Sequence, residues 1–102
     1  MKIVNSEEFS QITKEGVTLV DFFATWCGPC RIMAGILEEV NKDLDGKANV
    51  VKVDVDEEEA LARSFGIMSI PTLIVLKNGQ LMEKHVGIWS KEECISAVKK
   101  FM

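Results

Sequence analysis

The chain has 102 residues, of which 47% are hydrophobic and 27% charged, a composition typical of a soluble globular protein. This length predicts one domain, residues 1–102, with enough chain for a single core. The net charge of −4 argues against a nucleic-acid partner and against an anionic membrane surface. No apolar run is long enough to cross a membrane and the N-terminal residues lack a signal-peptide core, so we expect a cytoplasmic protein.

The first quarter of the sequence predicts a strand, a helix and a second strand. A short strand at Lys2–Val4 precedes a helix that begins with a capping box formed by Asn5 and Glu8 and ends near Gly16. The nearly continuous apolar run Val17–Ala24 predicts a central strand that is buried on both faces.

The middle of the sequence continues this alternation. Arg31–Val40 predicts an amphipathic helix, whose apolar residues recur at helical spacing as far as Leu44. Val50–Val55 alternates in polarity and predicts a strand, and Glu57–Phe65 predicts a short helix.

The last third predicts a hairpin and a terminal helix. Thr72–Lys77 and Gln80–Val86 are strands joined by the turn pair Asn78–Gly79. A capping box at Ser90 begins a helix that runs to Met102. The resulting order βαβαβαββα predicts an α/β fold, with parallel strands joined by helical crossovers and an antiparallel edge.

Two cysteines, Cys27 and Cys30, flank Gly28–Pro29 where the predicted central strand gives way to a helix. Thiols at this spacing can close and reopen a small disulfide ring, which is two-electron chemistry without a bound cofactor. The first turn of a helix has free N–H groups and a positive dipole end, so we expect Cys27 to be the nucleophilic thiolate. Cys30 lies one turn further on, more buried, and is the expected resolving thiol. Proline suits a first helical turn, and glycine lets a substrate backbone approach.

A zinc site is the alternative interpretation of the cysteines. Cys27, Cys30, His85 and Cys94 would supply four ligands, but their spacing matches no common zinc site. Cys94 shares a helical stripe with Val98 and is predicted to be core, and His85 falls in a predicted edge strand without a catalytic partner. We therefore expect no metal.

One acidic residue, Asp21, interrupts the apolar run of the predicted central strand. Burial of a carboxylate is costly and raises its pKa, so such a residue is a candidate for proton transfer. The alternative is that Asp21 faces solvent at a strand edge, which the surrounding apolar run disfavours.

The element order and the stretch Trp26-Cys27-Gly28-Pro29-Cys30 resemble the thioredoxin family. Further matches occur in family order across nearly the whole chain, and they are Asp21 between Val20 and Phe22, Ile70-Pro71-Thr72, Lys77-Asn78-Gly79 and Val86-Gly87. The resemblance implies a thioredoxin fold, with a central mixed sheet of strand order 1-3-2-4-5 flanked by four helices.

The same resemblance implies roles for residues around the cysteines. Asp21 would accept the proton of Cys30 through water, and Lys52 would lie near this carboxylate and tune it. The Ile70–Pro71 peptide bond would be cis and face the disulfide, so that Ile70 could pair with an extended substrate segment. The implied substrate-binding residues form a shallow apolar surface, and they are Trp26, Gly28, Pro29, Ile70, Pro71 and Gly87.

The implied activity is the reduction of disulfides in partner proteins by thiol–disulfide exchange, with no bound cofactor. A separate thioredoxin reductase drawing on NADPH, or a ferredoxin-linked reductase, would restore the dithiol. We expect a monomer whose partners are that reductase and oxidised client proteins. Two alternatives stay open: a net oxidant or isomerase on the same fold, and a binding module whose dithiol is incidental. In the family, Gly28–Pro29 is the dipeptide of reductants.

Several positions depart from the family pattern. Phe23 stands where a second Trp is usual, and Gly35 stands where a helix-kinking Pro is usual. Trp89 follows Gly87 and Ile88 where a smaller residue is common, and it is expected to affect partner choice. The methionines are expected mostly to pack in the core.

Overall fold

The computed structural model describes all 102 residues. Five strands and four helices alternate along the chain, and their bounds are β1 Lys2–Ile3, α1 Ser6–Ile12, β2 Val17–Phe23, α2 Gly28–Leu44, β3 Asn49–Asp54, α3 Glu59–Ser64, β4 Thr72–Lys77, β5 Gln80–Val86 and α4 Lys91–Lys99. The strands form one mixed sheet in the order β1-β3-β2-β4-β5, which confirms the predicted fold. No helix combines the length and the apolarity that a membrane crossing requires.

Strand β2 lies at the centre of the sheet. It pairs in parallel with β3 and antiparallel with β4, so that Val20 is level with Val51 on one side and Ile74 on the other. All seven of its residues are buried, as the continuous apolar run predicts for a strand covered on both faces. Cys27 therefore follows the C-terminal end of the central strand by only a few residues.

The two faces of the sheet carry separate cores. Helices α2 and α4 cover one face, and the fully buried side chains of that cluster include Leu19, Met33, Leu37, Leu73 and Val98. Helices α1 and α3 cover the other face, where the cluster includes Phe9, Val20, Phe22, Ala62 and Ile74. Because side chains alternate along a strand, Asp21 lies on the α2 and α4 face together with Leu19.

Helix α3 is shorter than the sequence predicts, beginning at Glu59 instead of Glu57. The side chain of Glu58 does not cap its own helix, because its Oε1 accepts hydrogen bonds from the backbone N–H and the hydroxyl of Ser6 at 2.9 and 2.6 Å. This long-range contact places a carboxylate at the start of α1, where free N–H groups favour it. Local sequence patterns cannot reveal such a partner.

Three other helix bounds also differ from the prediction. Helix α1 ends at Ile12 and not near Gly16, because Gly16 has a φ of +77° and belongs to the turn into β2. Helix α4 ends at Lys99, three residues short of the predicted Met102. Helix α2 begins earlier, at Gly28, so that both residues between the cysteines are helical.

The turn between β4 and β5 follows the prediction from Asn78–Gly79. Both residues have positive φ angles, 50° and 84°, as the favoured two-residue hairpin turn requires. The side-chain oxygen of Asn78 accepts a hydrogen bond from the backbone N–H of Gly16 at 2.8 Å. This bond fixes the hairpin to the loop that precedes β2.

We predict that Gly35→Ala stabilises the protein by about 0.5–1 kcal/mol, because glycine inside a helix costs roughly that much relative to alanine. An added Cβ at Gly35 would meet nothing within 4 Å. Gly79→Ala is the matched control, and it should destabilise because its φ of +84° disfavours a side chain. Urea unfolding of both variants measures the difference, and a loss of stability in Gly35→Ala would contradict the open environment.

Candidate functional site

The candidate site lies where the chain leaves β2 and enters α2. Cys27 is the N-cap of α2, with extended backbone angles, and the backbone N–H of Cys30 donates to its Sγ at 3.3 Å. Pro29 occupies the first turn of the helix, where its missing N–H leaves no intrahelical bond unmade. The sulfur of Cys27 therefore takes the place of the oxygen that usually caps a helix, at the positive end of the dipole.

The two cysteines are joined by a disulfide, and their Cα atoms are 5.2 Å apart. Together with Phe23 and Ala24 they form a small third cluster at the end of β2. Cys27 is 5% exposed and Cys30 is 3% exposed. Exposure thus separates the two cysteines less than the sequence predicts, and the clear asymmetry between them is the cap position of Cys27.

The segment before β4 faces this disulfide. The carbonyl oxygen of Ile70 lies 3.9 Å from Cys27 Sγ, and the Ile70–Pro71 peptide bond is cis. Neither backbone group of Ile70 bonds to another backbone group, whereas the carbonyl of Pro71 accepts from Gly87 N–H at 2.8 Å. Gly87 has a φ of +100°, a conformation that glycine adopts without strain.

Asp21 is fully buried in β2, two residues before Phe23. Neither of its carboxylate oxygens has a hydrogen-bond partner. Loss of hydration raises the pKa of Asp21 from its usual 3.8 to about 7, and the positive charge of Lys52 opposes the rise. The alternative of a solvated carboxylate at a strand edge is therefore wrong. A carboxyl group in this setting exchanges a proton near neutral pH.

Lys52 lines a cavity beside Cys30, and its charge acts on the buried carboxyl of Asp21. It is level with Asp21 across the β2–β3 pairing, and its Nζ lies 4.3 Å from the centre of the Phe23 ring. The cavity has a volume of about 190 Å³, and its walls are Phe23, Ala24, Thr25, Cys30, Arg31, Ala34 and Lys52. This space is large enough for water, and polar atoms line part of it.

The outer surface of the site is apolar and open. Trp26 is 68% exposed, and its indole N–H donates to Asp56 Oδ2 at 2.8 Å. Nothing lies within 4 Å of the position that a Cβ on Gly28 would take, so the first turn of α2 can be approached closely. Neither Asp56 nor the exposed Met68 is among the residues that the sequence analysis selects. Asp56 follows the alternating residues of β3, and nothing in that local pattern predicts a hydrogen bond to the indole of Trp26.

The expectation that the methionines mostly pack in the core is wrong, because four of the five are at least 37% exposed and only Met33 is buried. Met68 is 94% exposed and does not pack, although it lies in an apolar stretch. Trp89 is 7% exposed and stacks on His85, with ring centres 4.7 Å apart, so it does not present its ring to partners. Its neighbour Ile88, at 43% exposure, is the apolar side chain that reaches the surface there.

The four ligands of the zinc alternative do not come together. Cys94 lies in the core beside α2, where burial is the main cause that raises the pKa of its thiol to about 12. His85 is engaged with Trp89 and with the carbonyl of Ile88, 3.1 Å from its Nε2. No group of three or more potential ligands converges anywhere in the structure.

Comparison with known proteins agrees with this geometry. The thioredoxin family model matches residues 1–100. A thioredoxin of Staphylococcus saprophyticus is 48% identical over 99 residues, which cover 97% of this chain and 95% of the relative. A thioredoxin structure from Plasmodium falciparum is 36% identical with a TM-score of 0.88, and all of both chains is covered.

A further similar structure carries the description "Structural basis of the thiol resolving mechanism in yeast mitochondrial 1-Cys peroxiredoxin via glutathione/thioredoxin systems". It matches 98% of this chain and 93% of its own chain, with 31% identity and a TM-score of 0.84. The family model, the relatives and the fold agree with a cysteine pair that forms a disulfide. The chain therefore belongs to the thioredoxin family of thiol–disulfide oxidoreductases.

Proposed function

We propose that this protein is a reductant of disulfides in other proteins and that Cys27 is its nucleophile. The observation that carries the proposal is the helix-capping position of Cys27 Sγ, which accepts the N–H of Cys30. In the reduced protein a thiolate at this position gains both that hydrogen bond and the helix dipole. Attack on a client disulfide breaks its S–S bond, joins Cys27 to one client sulfur and releases the other as a thiolate.

Cys30 completes the cycle in this proposal. Its thiol loses a proton and attacks Cys27, which reforms the Cys27–Cys30 disulfide and releases the second client thiolate. Both sulfurs belong to one turn of a packed helix, so the second attack is effectively unimolecular. The overall result is the transfer of two electrons to the client.

Asp21 is the proposed acceptor of the proton from Cys30. A pKa of about 7 suits Asp21 to this task, because a base works best when its pKa lies near the working pH. Lys52 tunes that pKa downwards, and its side chain lines the same cavity as Cys30. Water in this cavity is the proposed path of the proton.

Docking of clients is proposed at the apolar surface around the disulfide. The free backbone groups of Ile70 can pair with an extended client segment, in the manner of an added strand. Three features surround that position. They are the open space at Gly28 and Pro29, the exposed ring of Trp26, and the loop that contains Pro71 and Gly87. These groups would contact the backbone and the apolar side chains of a client. Because such contacts require no particular sequence, many clients can be accommodated.

A separate reductase is the proposed source of electrons, because each cycle leaves the Cys27–Cys30 pair oxidised and the pair must then be reduced again. It would be a thioredoxin reductase that uses NADPH, or a ferredoxin-linked enzyme. We further propose a one-domain monomer that acts in the cytoplasm on oxidised proteins, with neither nucleic acid nor membrane as a partner. The net charge of −4 supports the last point.

We predict that Cys27 of the reduced protein reacts with iodoacetamide at least about tenfold faster than Cys30 near neutral pH, because only Cys27 caps the helix. Cys94 should not react in the folded protein, since it is completely buried. Cys30→Ser should accumulate mixed disulfides with client proteins, and Cys27→Ser should not. Mass spectrometry of the adducts measures all three, and faster labelling of Cys30 would overturn the assignment.

We predict that Asp21→Asn makes the oxidised protein more stable than wild type near pH 8. Between pH 3.8 and about 7 folded Asp21 holds a proton that the unfolded chain has lost, so wild-type stability falls as pH rises through this window. Each unit of pKa difference corresponds to about 1.4 kcal/mol, so the full penalty above that window is a few kcal/mol. Near pH 4 the advantage of the variant should vanish.

Urea unfolding of the two proteins at both pH values measures this difference. Glu38→Gln, which removes an exposed carboxylate from α2, is the control and should follow the wild-type pH dependence. Equal stabilities of Asp21→Asn and wild type near pH 8 would contradict a buried charge. In turnover assays Asp21→Asn should also slow the release of reduced client, because Cys30 loses its base.

We predict that Lys52→Met raises the pH at which client reduction reaches half its maximum rate. The positive charge of Lys52 lowers the pKa of Asp21, so its removal shifts that pKa upwards. Lys77→Met is the control, because Lys77 is exposed at the opposite end of the β2–β4 pairing from the cysteines. An unchanged pH–rate profile in Lys52→Met would show that Asp21 does not govern the rate.

A further inference from the structure

A second apolar groove adjoins the disulfide on the side of the loop between α3 and β4. Its volume is about 200 Å³, and its walls are Trp26, Val55, Ile67, Met68, Ser69 and Ile70. No ionisable side chain is among them. Because the carbonyl oxygen of Ile70 is 3.9 Å from Cys27 Sγ, the groove lies within reach of residues beside a client cysteine that is joined to Cys27.

Met68 is the most exposed large hydrophobic side chain of the protein, at 94%, and Trp26 follows at 68%. The two lie in one groove, next to the reactive sulfur. By contrast, Met33 is completely buried and packs in the core. Apolar side chains that are exposed together at a functional site mark a surface that another molecule covers.

The backbone on both sides holds Met68 in this position. Ile67 packs against the core beneath α1 and α3, and its N–H donates to Ala62 O at 3.1 Å. On the other side, the carbonyl of Ser69 accepts the hydroxyl of Thr72 at 2.6 Å. The segment is thus anchored before and after Met68, and only its side chain is free to adapt.

We propose that Met68 is a specificity-determining residue, which favours clients that carry a large apolar side chain beside the attacked cysteine. The inference rests on the proposed reductase function and names the client class of that same site. The occupant is a polypeptide segment, since the free backbone groups of Ile70 lie at the groove. An apolar side chain is preferred because the groove offers no charge, and a flexible thioether adapts to different apolar shapes.

The test uses two synthetic peptides that differ at one position. Each has a single cysteine, held as a mixed disulfide with thionitrobenzoate, and the next residue is Leu in one peptide and Gln in the other. In a Cys30→Ser background, the Cys27 thiolate attacks the peptide sulfur and breaks the bond to thionitrobenzoate. The released thiolate is coloured, and its appearance gives the rate constant of client capture. Thionitrobenzoate is a good leaving group because its thiol is acidic.

We expect the Leu peptide to react about fivefold faster than the Gln peptide, as contact with one partly buried apolar side chain allows. Met68→Gln should bring this ratio close to one by slowing only the Leu peptide, and Met68→Leu should preserve it. Met82→Gln is the matched control, since Met82 is 41% exposed on β5 and does not line the groove, so it should leave the ratio unchanged.

Two results would overturn the inference alone: a Leu-to-Gln rate ratio close to one before Met68 is changed, or a ratio that persists in Met68→Gln, whether or not both rates fall. In either case the capture of both peptides by Cys27 still supports the reductase proposal. Failure of every variant to release thionitrobenzoate from either peptide would instead overturn the role of Cys27, and the inference with it.

Discussion

The burial of β2 on both faces is the constraint on which the rest of this structure depends. The strand is fixed by β3 and β4 on its two sides and by helices above and below. The end of this strand therefore fixes the position of Cys27 next to the loop that contains Ile70, whose carbonyl oxygen is 3.9 Å from Cys27 Sγ. The same burial takes Asp21 out of water, so a single packing arrangement both positions the sulfur and alters the acidity of the carboxyl group.

An unpartnered carboxyl in the middle of a sheet is unfavourable for folding, and the surroundings relieve it only in part. Lys52 provides a positive charge, but it does not hydrogen bond to Asp21, and its Nζ lies against the ring of Phe23. A direct ion pair would hold the carboxyl permanently ionised, whereas a more distant charge leaves it able to take up and release a proton. Burial without a hydrogen-bond partner therefore fits the role of proton acceptor that we propose for Asp21.

Much of the fold and of the site could be predicted where the signal is local. The capping residues Asn5 and Ser90 begin helices as predicted, and Asn78–Gly79 forms the expected turn, because the required partners lie within a few residues. The resemblance to a family indicated the residues around the disulfide. Exposure could not be predicted in the same way: Met68 and Trp89 both follow glycine-containing loops, and only tertiary packing leaves one in solvent and buries the other.

The cysteines lie at the start of α2, and this position bears on how a partner distinguishes the oxidised protein from the reduced protein. Beyond its first turn, this 17-residue helix is held by core contacts of Met33, Leu37, Val40 and Leu44. A helix packed in this way limits how far the opening of the disulfide can change the outline of the protein. In the proposed cycle the two forms differ in charge, because the disulfide is neutral and a Cys27 thiolate would be negative at the end of a helix dipole. A reductase and a client that bind the same surface would then distinguish the oxidised form from the reduced form by the charge at a single sulfur atom.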